Sequence, residues 1–262
     1  ELDVQAAIEG YAFYLKASTR DVAVAQRKAR LEVHRDIVAD YETISDDGVT
    51  LVYWPEQHVD RVAHELLYRT REILEEAAEL IGQEARPEVA VVLYPSRSEL
   101  LATTCVPMWT GGIYDGVVRM ALGADSPRFD AVYRHELFHA AIDYAVPGRV
   151  PAWLNEGLAQ FFAGEVPKRD VMLDRMLEHQ TWVPFSSLEA QFKELQEPSD
   201  ARLAYRQSAL MIDWVVDERG EASIARGISH LVGGEDREQV LSIMLGRDGL
   251  SGRDLLDYLE ER

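Results

Sequence analysis

The chain has 262 residues, 46 acidic against 27 basic side chains, a net charge of −19 and 47% hydrophobic residues. A chain of this length buries a core without disulfides, and its charge repels phosphate backbones, which argues against nucleic acid or an anionic membrane as the primary partner. Cys105 is the single cysteine, so no intramolecular disulfide can form, and no apolar run approaches the roughly eighteen residues of a membrane span.

Residues 2–31 carry Ala-rich, apolar-periodic stretches such as Ala6-Ala7-Ile8 and Tyr11-Ala12-Phe13-Tyr14-Leu15, with Ser18-Thr19-Arg20-Asp21 separating two helices. Starting at Glu1, they read as the end of an upstream region, for which a helical-repeat domain is one expectation; a single pair establishes no period. From Leu31 to Ile44 the pattern is ambiguous between strand and helix. Asp46-Asp47-Gly48 is a turn, and the β-branched, aromatic run Val49 to Trp54 reads as a strand ended by Pro55. A long amphipathic helix follows over about 57–81, stopped by Gly82.

Val89 to Tyr94 is a near-continuous apolar run, the mark of a strand covered on both faces. Ser96 or Ser98 caps a short helix through Leu101. Ile113 to Leu122 then reads as a hairpin turning at Asp115-Gly116. Beyond Pro127 the pattern is almost wholly helical, over 127–146, 151–163, 170–178, 186–196, 200–218, 221–231, 236–245 and 251–260. The expected fold class is α+β. A helical or extended segment over 1–45 precedes a small mixed α/β lobe over 46–126 and a mainly helical lobe over 127–262, with an active-site cleft expected between the lobes.

Chemistry concentrates in His135-Glu136-Leu137-Phe138-His139 and in Pro151-Ala152-Trp153-Leu154-Asn155-Glu156-Gly157. Side chains at i and i+4 share one helix face, so His135 and His139 can reach one ion. Glu156, in the next helix, can supply a third ligand and leave one position open. Glu136, next to the first histidine, is placed to take a proton from water activated by the ion. Val132, Leu137, Ile142 and Val146 give the first helix an apolar face, so it reads as amphipathic; Pro147-Gly148 ends it, and Gly157 keeps the backbone beside Glu156 thin. The bland alternative is a pair of packed, hydrogen-bonded histidines. The remaining histidines, at 34, 58, 64, 179 and 230, lack partners at ligand spacing and read as surface or satisfied groups.

The pattern from HELFHA through PAWLNEGLAQFF resembles the gluzincin branch of zinc peptidases, in particular the bacterial peptidase MA-like group, over roughly residues 46 to 220. The resemblance implies a zincin-like fold and one Zn2+ held by His135, His139 and Glu156, with Glu136 as general base. It also implies an edge strand at Gly112-Ile113-Tyr114-Asp115-Gly116, to which an extended peptide adds. Tyr205, in Ala204-Tyr205-Arg206-Gln207-Ser208, resembles the tyrosine that assists as oxyanion donor, with Tyr114 the runner-up. Gln160 stands where several gluzincins have an acidic residue, and its carbonyl could accept a proton from a ligating histidine. Asp143 either faces solvent or takes that part, and Asn155 caps a helix, orients Glu156 or meets substrate. Cys105, before Met108 and Trp109, could ligate zinc in a latent form.

The expected activity is therefore hydrolysis of peptide or protein substrates, with no membrane insertion in this segment. A catalytically weak or inactive zinc-binding module with a structural or peptide-binding role is the alternative. The resemblance favours a periplasmic or secreted location. Side-chain preference, and endopeptidase against aminopeptidase action, are open, since Glu165 is too isolated to be named as an amine anchor.

Overall fold

The computed structural model describes residues 4–17, 21–104, 110–122, 128–168, 171–179, 183, 188, 198–248 and 252–260. Two compact units emerge, one of Glu1–Arg71 with Glu88–Phe129 and one of Glu72–Pro87 with Asp130–Arg262.

The first unit is built on a hairpin. In the turn Asp46-Asp47-Gly48-Val49, both central residues adopt positive φ, 47° and 80°, the geometry that matches the twist of flanking strands. It joins β1 (Glu42–Asp46) to β2 (Val49–Tyr53) with Asp46 opposite Val49. Helix α3 (Gln57–Leu80) begins in this unit and ends in the second. It leads to β3 (Val89–Tyr94), parallel to β2. Ser96 caps α4 (Arg97–Thr103), its hydroxyl accepting from the Glu99 N–H. Strands β4 (Gly112–Tyr114) and β5 (Val118–Ala121) form the second hairpin, β5 parallel to β3. The order β1-β2-β3-β5-β4 puts β3 at the centre, as its apolar run requires.

Two helices precede the sheet, α1 (Val4–Ala17) and α2 (Val22–Ile37), the second capped by the Asp21 side chain. The stretch that was ambiguous is thus resolved: helix continues to Ile37, and β1 follows a single 3-10 turn. α2 is anchored to the sheet unit by a polar chain. The Tyr94 hydroxyl lies 3.0 Å from His34 Nδ1 and accepts from Arg119 Nη1 at 3.2 Å, while Arg119 Nε donates to both Asp115 oxygens at 3.1 Å.

The second unit is helical. Its described elements are α5 (Phe129–Ala145), α6 (Ala152–Phe162), α7 (Val171–His179), α8 (Pro198–Arg219), α9 (Ala222–Val232), α10 (Val240–Leu245) and α11 (Gly252–Glu260). The expected helix over 186–196 falls almost entirely outside the described residues. Helix α5 differs from the amphipathic helix expected for the HELFH segment. Residues 136–142 are all buried, two turns with every face covered, so it is a core helix. Helix α8 supplies much of the packing through Leu210, Met211, Ile212, Trp214 and Val215, each buried and contributing roughly 1.5–3 kcal/mol by leaving water. No described helix is long and apolar enough to cross a membrane.

Candidate metal centre

The site lies wholly in the helical unit. One turn of α5 separates His135 from His139, and their rings meet edge to face with centroids 4.7 Å apart. Gly148, at φ 63°, reverses the chain after Val146, and α6 starts at Ala152 with Pro151 as its cap residue, one position earlier than a first-turn proline would sit. Glu156 then faces α5. Its Oε2 lies 3.4 Å from His135 Nε2 and 3.6 Å from His139 Nε2.

These separations fit a metal. Tetrahedral zinc with ligand bonds of about 2.0–2.1 Å sets neighbouring donors about 3.4 Å apart. The donor set, two imidazole nitrogens and one carboxylate oxygen, suits Zn2+. Among the described residues, these three form the one group of His, Cys, Asp and Glu side chains whose ligand atoms converge, all within 4.8 Å of one another.

The electrostatics express the same convergence. Burial pushes the His135 imidazole down, but Glu156, Glu165 and Glu136 outweigh it and hold its pKa up at about 10. His139 is raised by the same contest between burial and the Glu156 and Glu136 carboxylates. For Glu156, burial raises the carboxyl, and the two histidines more than reverse this, to about 2. A metal bound there requires both imidazoles to be neutral, so its binding competes with protons.

The outward nitrogens are held unequally. His139 Nδ1 lies 2.9 Å from the Asn155 carbonyl oxygen, and His135 Nδ1 lies 3.4 Å from Glu165 Oε2, ion-pair distance without a formed hydrogen bond. Both contacts escape sequence reasoning as histidine partners. Asn155 is mid-helix rather than a cap, and Asp143 is exposed. Gln160 does not turn its carbonyl to a histidine. Its amide donates to the backbone carbonyls of Glu156 at 3.2 Å and Tyr205 at 2.8 Å, joining α6 to α8.

Glu136 is buried, 8% exposed, and its charge acts on both histidines and on Tyr205. Tyr205, on α8, is pushed up by burial and then by Glu156 and Glu136, so the hydroxyl stays protonated at neutral pH. Tyr114 lies on the edge strand β4 of the other unit. Cys105, Met108 and Trp109 lie outside the described residues. The other histidines with described contacts are satisfied: His34 by Tyr94, His64 by the Asp60 carbonyl, His230 by Glu235 and the Asp236 carbonyl.

A family model described as Peptidase MA superfamily matches residues 70–255, well over half of the chain. The chain belongs to the Peptidase MA superfamily. The candidate metal centre falls inside the matched segment, as does the whole of α5, α6 and α8, and this membership agrees with the expected zincin-like fold. Among solved structures, the superfamily chain is similar to a two-domain M1 zinc metallopeptidase, in a mutant form bound to L-arginine. The TM-score is 0.45 and the identity 17%, covering 84% of this chain and 50% of that one. The chain thus spans half the length of that structure. Comparison with curated proteins gives no match.

Proposed function

We propose that the chain is a zinc-dependent peptidase of the gluzincin type, cleaving peptide bonds in peptide or protein substrates. The observation that carries this reading is the approach of His135 Nε2 and His139 Nε2 to one Glu156 oxygen, at 3.4 and 3.6 Å. Bound there, zinc would polarise the scissile carbonyl and acidify a water molecule.

The chain's own residues do the rest. Glu136, on the same helix as both histidines, takes the proton from water and delivers it to the leaving amine nitrogen. Tyr205, kept protonated by burial and then by the Glu156 and Glu136 carboxylates, donates a hydrogen bond to the oxygen that gains charge as the carbonyl is attacked. Asn155 holds the ring of His139 so that Nε2 faces Glu156.

Elemental analysis should find one zinc per chain, and the protein should hydrolyse a denatured protein or a random peptide library. Glu136→Gln should retain the zinc and lose hydrolysis. Equal activity in that variant defeats the mechanism. Zinc retained by the parent without any cleavage would instead identify a metal-bearing peptide-binding module.

A further inference from the structure

The outward nitrogen of His135 is buried and makes no hydrogen bond, yet a carboxylate stands beside it. Glu165 reaches that place through the way α6 ends. Gly164 adopts φ 71°, which a side chain would strain, and reverses the chain. The Glu165 N–H then bonds back to the Gln160 carbonyl at 2.8 Å. This return lays residue 165 against the last turn of α6. Arg134, the neighbour of His135, holds the same end by donating to the Phe162 carbonyl at 3.3 Å and lying over its ring at 4.3 Å.

Two other groups that could serve His135 are committed elsewhere. The Gln160 amide is spent on two backbone carbonyls, and the Asn155 carbonyl meets His139. The Glu165 side chain is 31% exposed, so it has room to move. A shift of about 0.5 Å brings the contact to an ordinary N–H···O length.

We propose that Glu165 is a positioning residue for the metal, its carboxylate accepting the Nδ1 proton of His135 when the ion binds. That bond fixes the tautomer with the Nε2 lone pair directed at the ion and makes this nitrogen a stronger donor. The two histidines then differ by design, His135 backed by an anion and His139 by a neutral amide.

The inference rests on the zinc reading, and its test separates the two. Parent, Glu165→Gln and Glu165→Asp chains are stripped of metal, then titrated with Zn2+ against a chromophoric chelator, and their Co2+ absorption spectra are recorded. Glu165→Gln should bind zinc about 10- to 100-fold more weakly, with a shifted cobalt spectrum. Glu165→Asp should recover part of the affinity, and the metal-free melting temperatures should stay together. Parent-like affinity and spectrum in Glu165→Gln overturn the proposal alone. So does an equal loss in both variants accompanied by a fall in the metal-free melting temperature, which marks a folding defect. A parent chain that takes up no zinc overturns both readings.

Discussion

Tyr205 and Asn155 put the proposed chemistry at risk most directly, because each acts through one polar atom. Tyr205→Phe removes the hydroxyl and little else. Turnover should fall about ten- to a thousandfold with zinc content unchanged, as loss of an oxyanion donor does. A steady-state assay on a fluorogenic peptide, with metal quantified in the same samples, checks this, and an unchanged rate eliminates the role. Asn155→Leu leaves His139 Nδ1 without its acceptor. Zinc affinity should drop about tenfold, read by chelator competition. The three candidate ligands were legible in the sequence because helical spacing alone puts His135 beside His139, and the helix opening after Pro151 returns Glu156 to them. The partners of their outward nitrogens were not. Which side of α6 Asn155 presents to His139 depends on how two helices cross. Glu165 lies beyond a left-handed glycine, where helical periodicity no longer carries direction.

At the scale of elements, the packing of α6 on α8 brings Tyr205 close enough to Glu156 for the carboxylate's charge to act on its hydroxyl. A Cβ at position 157 would fall 2.5 Å from the Ser208 carbonyl oxygen and 2.8 Å from Ile212 Cγ1, so this approach exists because residue 157 is glycine. Gly157→Ala must push α8 away, at a cost on the order of 1–3 kcal/mol. The melting temperature should fall, and hydrolysis should fall further than zinc content, since the ligands sit on α5 and α6 while Tyr205 moves with α8. A variant that loses zinc and activity in equal measure contradicts this ordering. Strand β3 was readable because a strand covered on both faces is a run of apolar residues. Strand β1 was not, having Ile44 as its one apolar residue and lying exposed at the sheet edge. Helix α5 misled in the opposite sense, since burial on all faces erases the stripe that amphipathic reading looks for.

At the scale of the whole molecule, stability should depend on pH through His34. Burial, and then the Arg119 charge, lower its pKa from 6.5 to about 4, so the folded chain holds it neutral. An unfolded chain binds that proton near pH 6.5. The stabilisation is therefore complete above about pH 6.5 and is lost as pH falls toward 4. Denaturant midpoints of the parent and His34→Gln at pH 7, 6 and 5 should show the parent losing more over this range, on the order of 1–3 kcal/mol. Parallel curves would remove His34 from the account. Comparing the two chains cancels the other titrating groups, those of the metal centre included.

The enclosure of α5 has a bearing on how such a protein can change. Its residues Leu137, Phe138, Ala140 and Ala141 have no face turned to water, so most replacements there would cost the fold before they altered reactivity. The helix bearing both imidazoles is thus the least adjustable part of the site. New specificity or altered rate has to enter through the looser surroundings, such as the half-buried and exposed segment after Phe162, where a side chain can be exchanged without reopening a core.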